Sequence, residues 1–542
     1  KDVLEKLKKF NDISENYGSI ENIHKIIKDK EKQIKDLNNE LVNRPTNEVL
    51  EGYNEIKKEL EDYKDKNKNL NKELNSYDTE IIEVDTLKRE KRNLINEIDT
   101  LKLDYTHEKE EKEKLSARLS RIMTPEGALL TEAERIQQIK GSGLDYEAYP
   151  EKYQETDINE LSWLENIEKT SEEYGIKLNK RILYAFHTAL KISDWSIITV
   201  LAGVSGTGKS ELPKLYARFG GLNFISVPVQ PNWDSQESML GYFNSIDNRF
   251  DTQPLLRFLA NCIDEEKYNK YMSLVLLDEM NLAHVEHYFA EFLSKLEERR
   301  GKSKNDLPYI EVKLGSDCNS LKLSLIRNIL WAGTMNQDET TKSLSDKVLD
   351  RGILINFPRP KKLESRKKME LLNKFVKGKN IVMLTEEDWK NWLKRENTLS
   401  EEQMKEIEKY RKMVEDINEA LEGAGRALGH RVWQAIEFYI LNYPLVLNET
   451  TRNNGEMTGK LVKNMRIAFE DQIVQKIMPK LRGLEVRGSD KKVLDKIKNI
   501  LEKNDFNNLI EDFDFAMEHG YGQFIWNSAK YITKEELEEN VT

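Results

Sequence analysis

The chain has 542 residues, 33% of them charged, with 85 Lys and Arg against 96 Asp and Glu for a net charge of −11. That length exceeds one hydrophobic core and divides into three or four units at ~150 residues each, while the acidic balance excludes a broadly basic nucleic-acid coat and leaves room for a local basic channel. Two cysteines, Cys262 and Cys318, form neither a disulfide framework nor a zinc pattern and fit a reducing cytoplasm, and no apolar run of ~18 residues is present to cross a membrane. The first residue is Lys1, with no initiator Met, so a processed or truncated fragment is expected.

The first 120 residues hold the excess of charge. Ile23, Ile27, Ile34, Leu37 and Leu41 alternate at four and three, with Lys30 interrupting the seam, until Asn43-Arg44-Pro45 breaks the helix. A second seam runs from Tyr53 through Ile56, Leu60, Tyr63, Asn67, Leu70 and Leu74, and after a stagger at Leu87 it reaches Leu101. This heptad pattern reads as an α-helical coiled coil over 1–120, broken near 43–48, with Asn67 on the seam as a register-setting residue or a polar lapse. A solvated helical spacer and a rod that docks a partner are both compatible with it. Turn signals around Pro125 and Gly141 bracket one short helix-like stretch, TEAERIQQI, and mark 121–157 as a linker.

From about Ile158 the pattern is α/β. Two helical segments, 161–174 and 179–192, precede the apolar run Ile197–Leu201 and then the string GVSGTGKS. A strand, a glycine loop and a helix make a phosphate-binding loop. Gly203, Val204, Ser205, Gly206, Thr207 and Gly208 let backbone N–H groups surround phosphate oxygens, Lys209 reaches the terminal phosphates, and Ser210 offers a hydroxyl to Mg²⁺. The full motif in that context predicts a nucleoside triphosphate as ligand.

Leu222–Val229 is a second buried strand, and Leu274–Leu277 a third that ends in Asp278-Glu279. Downstream of a phosphate loop, Asp278 suits the Mg²⁺ shell and Glu279 suits activation of the attacking water. A helix over 285–299 follows, then a polar insertion, 300–327, in which PYIEVKL and LKLSL predict a β-hairpin. The strand Ile329–Met335 brings Asn336 to the ligand edge of an open α/β sheet. Arg351 ends the short helix SDKVLDRG, and ILINFP supplies the last strand before 360.

Residues 361–542 read as helical, with amphipathic stretches at 364–376, 386–396, 400–422, 431–441, 460–478 and 491–503. Arg431 lies near a helix start, where a cation is unfavourable unless it meets an anion, which makes it a phosphate-contact candidate beside the alternative of a solvated arginine. His284 and His287 could be metal ligands but fit packing or polar helix positions better. Arg299, Arg300, Lys302 and Lys304 form a basic cluster that suits a solvated loop or a nucleic-acid contact.

The order of these parts, with VQPNWDSQESMLGYFN, LVLLDEMN, WAGTMNQDETTKSLSDKVLDRG, GHRVWQ and FEDQIVQKIMPKLRG, resembles the AAA+ motors of the McrB-like group over residues 158–485. These are nucleotide-driven subunits of modification-dependent restriction and related prokaryotic antiviral defence systems. The resemblance implies an α/β AAA+ core, a parallel sheet with flanking helices, plus a helical lid and C-terminal helices. It implies an Mg²⁺-dependent NTP hydrolase acting as a cytoplasmic homo-oligomeric ring, a hexamer, that moves on DNA or activates a nuclease partner chain. By the same resemblance Asn336 is the sensor that orients water, Arg351 the finger that reaches a neighbouring subunit's nucleotide, and Arg431 the second sensor in the lid. An intrachain salt bridge from Arg351 to Asp350 or Asp346 is the competing reading. Where GTP-using McrB carries an MNTADR-type stretch, this chain reads Met335-Asn336-Gln337-Asp338-Glu339-Thr340-Thr341, which favours ATP over GTP. A coiled-coil scaffold and a protein-remodelling machine share most of these features.

Overall fold

The computed structural model describes residues 20–43, 51–66, 68, 131–142, 144, 158–244, 249–264, 268–315, 318–337, 344–359, 370–379, 381–394, 400–453 and 455–533. The chain divides into two compact units, residues 1–127 and 128–542.

In the first unit, α1 spans Ile20–Asn43 and α2 covers 51–66. Lys30 pairs with Glu59 at 2.6 Å and Glu31 with Lys64 at 3.1 Å. Along one continuous helix the first pair would be about 43 Å apart at 1.5 Å per residue. The chain therefore turns back between α1 and α2, and the lysine that interrupts the seam has a carboxylate opposite it. The seam beyond residue 68 lies outside the described residues.

The second unit begins earlier than the composition suggests. Thr131 caps α3, Glu132–Lys140, with a reciprocal Glu134 capping box. Ile139 of this helix is fully buried, and Arg135 donates to Leu314 O at 2.5 Å while its guanidinium covers the Phe243 ring at 4.7 Å. The stretch expected as part of a linker is thus packed into the folded unit, because two of its residues fill sites that the α/β part supplies.

Asn159 and Asn179 cap α4, Glu160–Tyr174, and α5, Lys180–Lys191. The main sheet then takes β1, Ile198–Gly203; β2, Asn223–Pro228; β5, Ser273–Asp278; β8, Ile329–Asn336; and β9, Gly352–Asn356. Its order is β2-β5-β8-β1-β9 with all pairs parallel. Both faces are covered, as continuous apolar runs demand. Leu201, Leu274, Leu276, Leu330, Ile353 and Ile355 face one core, and Val200, Val275, Leu277, Ile329 and Trp331 face the other.

Between the sheet strands lie α6, Glu211–Gly220; α7, Gln236–Leu240; α8, Pro254–Asp264; α9, Val285–Tyr288; α10, Ala290–Glu298; and α11, Asp346–Arg351. Two hairpins project from them. β6, Tyr309–Val312, pairs with β7, Leu321–Ser324, inside the predicted insertion. β3, Gly241–Asn244, pairs with β4, Arg249–Thr252, where no hairpin was read from the sequence.

The helical region runs through α12, Leu372–Lys377; α13, Glu386–Asn391; α14, Glu401–Glu422; α15, His430–Asn442; α16, Pro444–Arg452; α17, Gly459–Gln472; α18, Lys491–Lys503; and α19, Asn507–Glu518. Residues 364–369 of the first expected stretch lie outside the described residues, α13 ends at Asn391 short of the stretch 386–396, and α16 and α19 fall where the sequence carries no clear amphipathic pattern. A π-helical turn, Ile473–Ile477, and a 3₁₀ turn, Met478–Leu481, continue α17. These helices share one core with α4, α5, α6 and one sheet face. Arg181 of α5 fastens them, donating to Glu470 at 2.6 Å and Asp471 at 2.9 Å with all three side chains buried.

Candidate functional site

The carboxyl ends of β1, β5 and β8 meet at one edge, with Gly203 in register with Asn336. From Gly203 the chain turns through 204–210 into α6. Gly206 and Gly208 adopt φ of 81° and 91°, the left-handed region that side chains resist, and a Cβ on either would meet nothing within 4 Å. The loop thus holds a shape that glycine takes without strain and a side chain would resist, with Ser205 exposed at its tip. Thr207 Oγ1 donates to Val204 O at 3.0 Å and braces the turn. Lys209 is buried and donates to the carbonyls of Gly203 at 3.0 Å and Val204 at 2.6 Å. Its ammonium is therefore held inside the loop that would receive the phosphates.

Ser210 occupies the capping position of α6 without bonding the helix by its side chain. Its Oγ donates instead to Asp278 Oδ1 at 2.7 Å, and the same oxygen accepts from Thr334 Oγ1 at 2.6 Å. A hydroxyl and a carboxylate at the mouth of the loop are hard oxygen donors of the kind Mg²⁺ takes. Residues and space fit Mg²⁺ and a triphosphate, with Ser210 and Asp278 as the metal's protein side. Among the described residues no cluster of three or more His, Cys, Asp or Glu forms another metal site. His284 and His287 lie with ring centroids 5.1 Å apart and are both exposed, with His284 beside Glu286, as polar surface residues rather than packing ones.

Glu279 follows with φ 53° and ψ 44°, a left-handed conformation that costs a non-glycine residue ~1 kcal/mol or more. Two contacts hold it there, and a third fixes Asn336 beside it. Its N–H donates to Thr334 Oγ1 at 2.9 Å, its Oε1 accepts from Asn336 Nδ2 at 3.1 Å, and Asn281 Nδ2 donates to Asn336 O at 3.0 Å. Gly333 completes the support, since a Cβ there would lie 2.2 Å from Met280 Sδ. Only a glycine lets Met280 pack across β8 directly after the acids.

Thr334 was not singled out from the sequence, yet it touches both acids. The available signal was its spacing, two residues before Asn336 on the same strand face. Thr334→Val should leave nucleotide affinity near the parent's and lower kcat about 10- to 100-fold, the equivalent of one hydrogen bond to a charged group. Turnover measured beside equilibrium nucleotide binding checks this.

The two arginines lie elsewhere. Arg351 is at the amino end of β9, where its carbonyl accepts from Ile197 N and Gly352 is in register with Ile198. Five strand residues at ~3.3 Å each separate that end from Gly203, about 17 Å. Its Nη1 donates to Leu293 O at 3.0 Å, and its Nη2 pairs with Glu297 at 3.2 Å. The competing reading of Arg351, an intrachain salt bridge, is met within this chain, with Glu297 of α10 in place of Asp350 or Asp346. Arg431 also pairs with Glu297. The anion that its place at a helix start calls for is, in this chain, a carboxylate, and Arg431 stands beside Arg351 rather than over its own phosphate loop.

The basic cluster is divided as well. Arg299 is buried against Asp194 at 3.2 Å, and Arg300 donates to the carbonyls of Asp194 and Trp195, so both tie α10 to the turn before β1. Lys302 and Lys304 are exposed, as a solvated loop requires.

Lys476, on the π-helical turn, is buried and donates to Asp350 O at 3.3 Å and Gly352 O at 2.6 Å, on either side of Arg351. Lys480 pairs with the Asp350 carboxylate. Burial pushes the Lys476 ammonium down to about 7; Asp350 opposes this, and Lys480 and Arg300 add to it. An unfolded lysine keeps its proton to about 10.4. Between these values the unfolded chain binds more protons, so stability from this group rises with pH, by up to about 1.4 kcal/mol per unit. Thermal unfolding at pH 7 and pH 9 should show the parent gaining on Lys476→Met as pH rises; parallel changes would contradict it.

The five-stranded parallel sheet, the phosphate loop and the paired acids at one sheet edge make an α/β fold with the groups that a nucleoside-triphosphate site needs. A family model described as a domain of unknown function, DUF8727, matches residues 380–539 in the helical region. No curated protein matches the sequence. Among solved structures, a candidate ATPase of Cytophaga hutchinsonii is similar at 16% identity and a TM-score of 0.33, over 57% of this chain and 86% of that one. A full-length MCM homologue of Methanopyrus kandleri is similar at 11% identity and a TM-score of 0.33, over 60% of this chain and 62% of that one, so less than two thirds of its length is spanned. No helix among the described residues is long and apolar enough to cross a membrane.

Proposed function

We propose that the chain is an AAA+ ATPase that works as a ring of copies, with each active site shared between two of them. Gly203 to Ser210, Asp278, Glu279 and Asn336 of one copy bind and hydrolyse the nucleotide, and Arg351 and Arg431 come from the next. The observation that carries this reading is the distance of Arg351 from its own loop. At about 17 Å along the sheet its side chain cannot touch the phosphates its own chain binds, whereas an arginine from a neighbour stabilises transition-state charge only once the ring is assembled.

Within the site the division of labour follows from the contacts. Lys209 and the loop amides meet the phosphates. Glu279, held by Asn336, is the base for the attacking water, and Asn336 orients it. Bound Mg²⁺ would neutralise phosphate charge beside Ser210 and Asp278. Membership of a prokaryotic defence system, with movement on DNA or activation of a partner nuclease as output, rests on the McrB-like resemblance. So does the hexameric state, whereas the choice of ATP over GTP rests on the departure from the McrB stretch at residues 335–341.

A shared site makes turnover depend on assembly. Phosphate release per chain should rise with protein concentration and level off where light scattering shows the oligomer complete, faster with ATP than with GTP. Specific activity independent of concentration, in a chain that stays monomeric with nucleotide, would overturn the reading.

A further inference from the structure

The carboxylate of Glu297 binds two arginines from different parts of the chain, one oxygen to each: Oε2 to Arg351, from the α11–β9 junction, and Oε1 to Arg431, from the start of α15. The same helix holds Arg351 a second time through Leu293 O, one turn earlier. Arg300 adds a third guanidinium at this helix end. It faces both Glu297 and Arg431 while its own donors are tied to the carbonyls of Asp194 and Trp195.

Cations gather favourably at a helix carboxyl end, but two guanidiniums side by side repel each other unless an anion lies between them. Glu297 is that anion and is 18% exposed, while Arg351 is 30% and Arg431 67% exposed. The carboxylate thus sits beneath the pair, and the arginines present their outer edges to solvent with positive charge in excess.

We propose that Glu297 is a positioning residue that sets Arg351 and Arg431 as one two-pronged anion receptor for the terminal phosphates of a nucleoside triphosphate bound to a neighbouring copy. The proposal rests on the shared-site reading above. An arginine has five donors in a planar fork, so each can keep its bond to Glu297 and still offer N–H groups to phosphate. α10 also follows the strand end that carries Glu279 and begins eleven residues after it. The acid of one site and the arginines serving the next are therefore borne by a single stretch, residues 279–297, through which occupancy of one site can alter the next.

The test compares Glu297→Gln, Glu297→Asp and Arg351→Ala in the full chain, with ATP turnover, oligomer size and thermal midpoint measured for each. A misplaced catalytic group costs on the order of 100-fold, so Glu297→Gln should lose about that factor in kcat with KM and oligomer size unchanged. Its ATP-concentration dependence should also become less cooperative. Glu297→Asp, which keeps the charge on a shorter stem, should recover part of the loss. Parent-like kcat and cooperativity in Glu297→Gln, beside a dead Arg351→Ala, would overturn the positioning role and leave the shared site standing. Equal losses in Gln and Asp that follow a lowered thermal midpoint would also overturn it, by showing a structural role. Full turnover in Arg351→Ala would overturn the shared site and this proposal together.

Discussion

Glu279→Gln is expected to bind Mg²⁺ and nucleotide as the parent does and to hydrolyse it about 10²- to 10⁴-fold more slowly, the range for losing a general base. Glutamine keeps the side-chain length and an oxygen that can accept from Asn336, so the contact between the two residues survives. What is lost is the basicity. The phosphate loop and the Ser210 to Asp278 contact do not depend on this side chain, which is why affinity should hold. Phosphate release measured against binding of a fluorescent nucleotide separates the two effects, and turnover within a few-fold of the parent would remove Glu279 from its role.

Arg351→Ala should be equally severe by a different route. An arginine supplied to phosphoryl transfer is worth about 10³- to 10⁵-fold in kcat, while the glycine loop, Lys209, Ser210 and Asp278 that hold most of the nucleotide do not depend on it. The fold should tolerate the change. Glu297 keeps Arg431 as a partner, and Lys476 and Lys480 still hold the backbone and carboxylate of Asp350. A variant that binds nucleotide and melts near the parent but fails to turn over is the expected result.

The parts of this molecule that were legible in the sequence are those in which neighbouring residues determine the outcome. Apolar runs bounded by glycine, acid or asparagine give β1, β5 and β8, and a strand ending in a ligand residue places that residue at the ligand edge. The hairpin of β6 and β7 followed from alternation across a turn, whereas β3 and β4, of the same length, bury one residue each and carry no such alternation.

What was not legible depends on elements distant in sequence. Arg299 stands in a run of basic residues that looks like surface, and it is buried because Asp194 and the carbonyl of Ile326 come to meet it. Glu297 is one of several acids on a short amphipathic helix, and its importance comes from two arginines 54 and 134 residues further on. Lys476 resembles any lysine of a long helix until the π-helical turn brings it beneath the Arg351 junction. For Arg431 the physical argument from the sequence was sound in part: a cation at a helix start needs an anion, and it finds one in Glu297.

The account stands on each site being completed by a second copy, and mixing two inactive variants tests this most directly. A Glu279→Gln copy lacks the base but carries Arg351, and an Arg351→Ala copy has the base but lacks the arginine. If the site is shared, co-assembly places intact arginines against intact acids, and ATP turnover returns in the mixture in proportion to the mixed neighbours formed. A mixture that co-assembles, as size and labelled-subunit exchange would show, yet remains as inactive as its components would contradict the account.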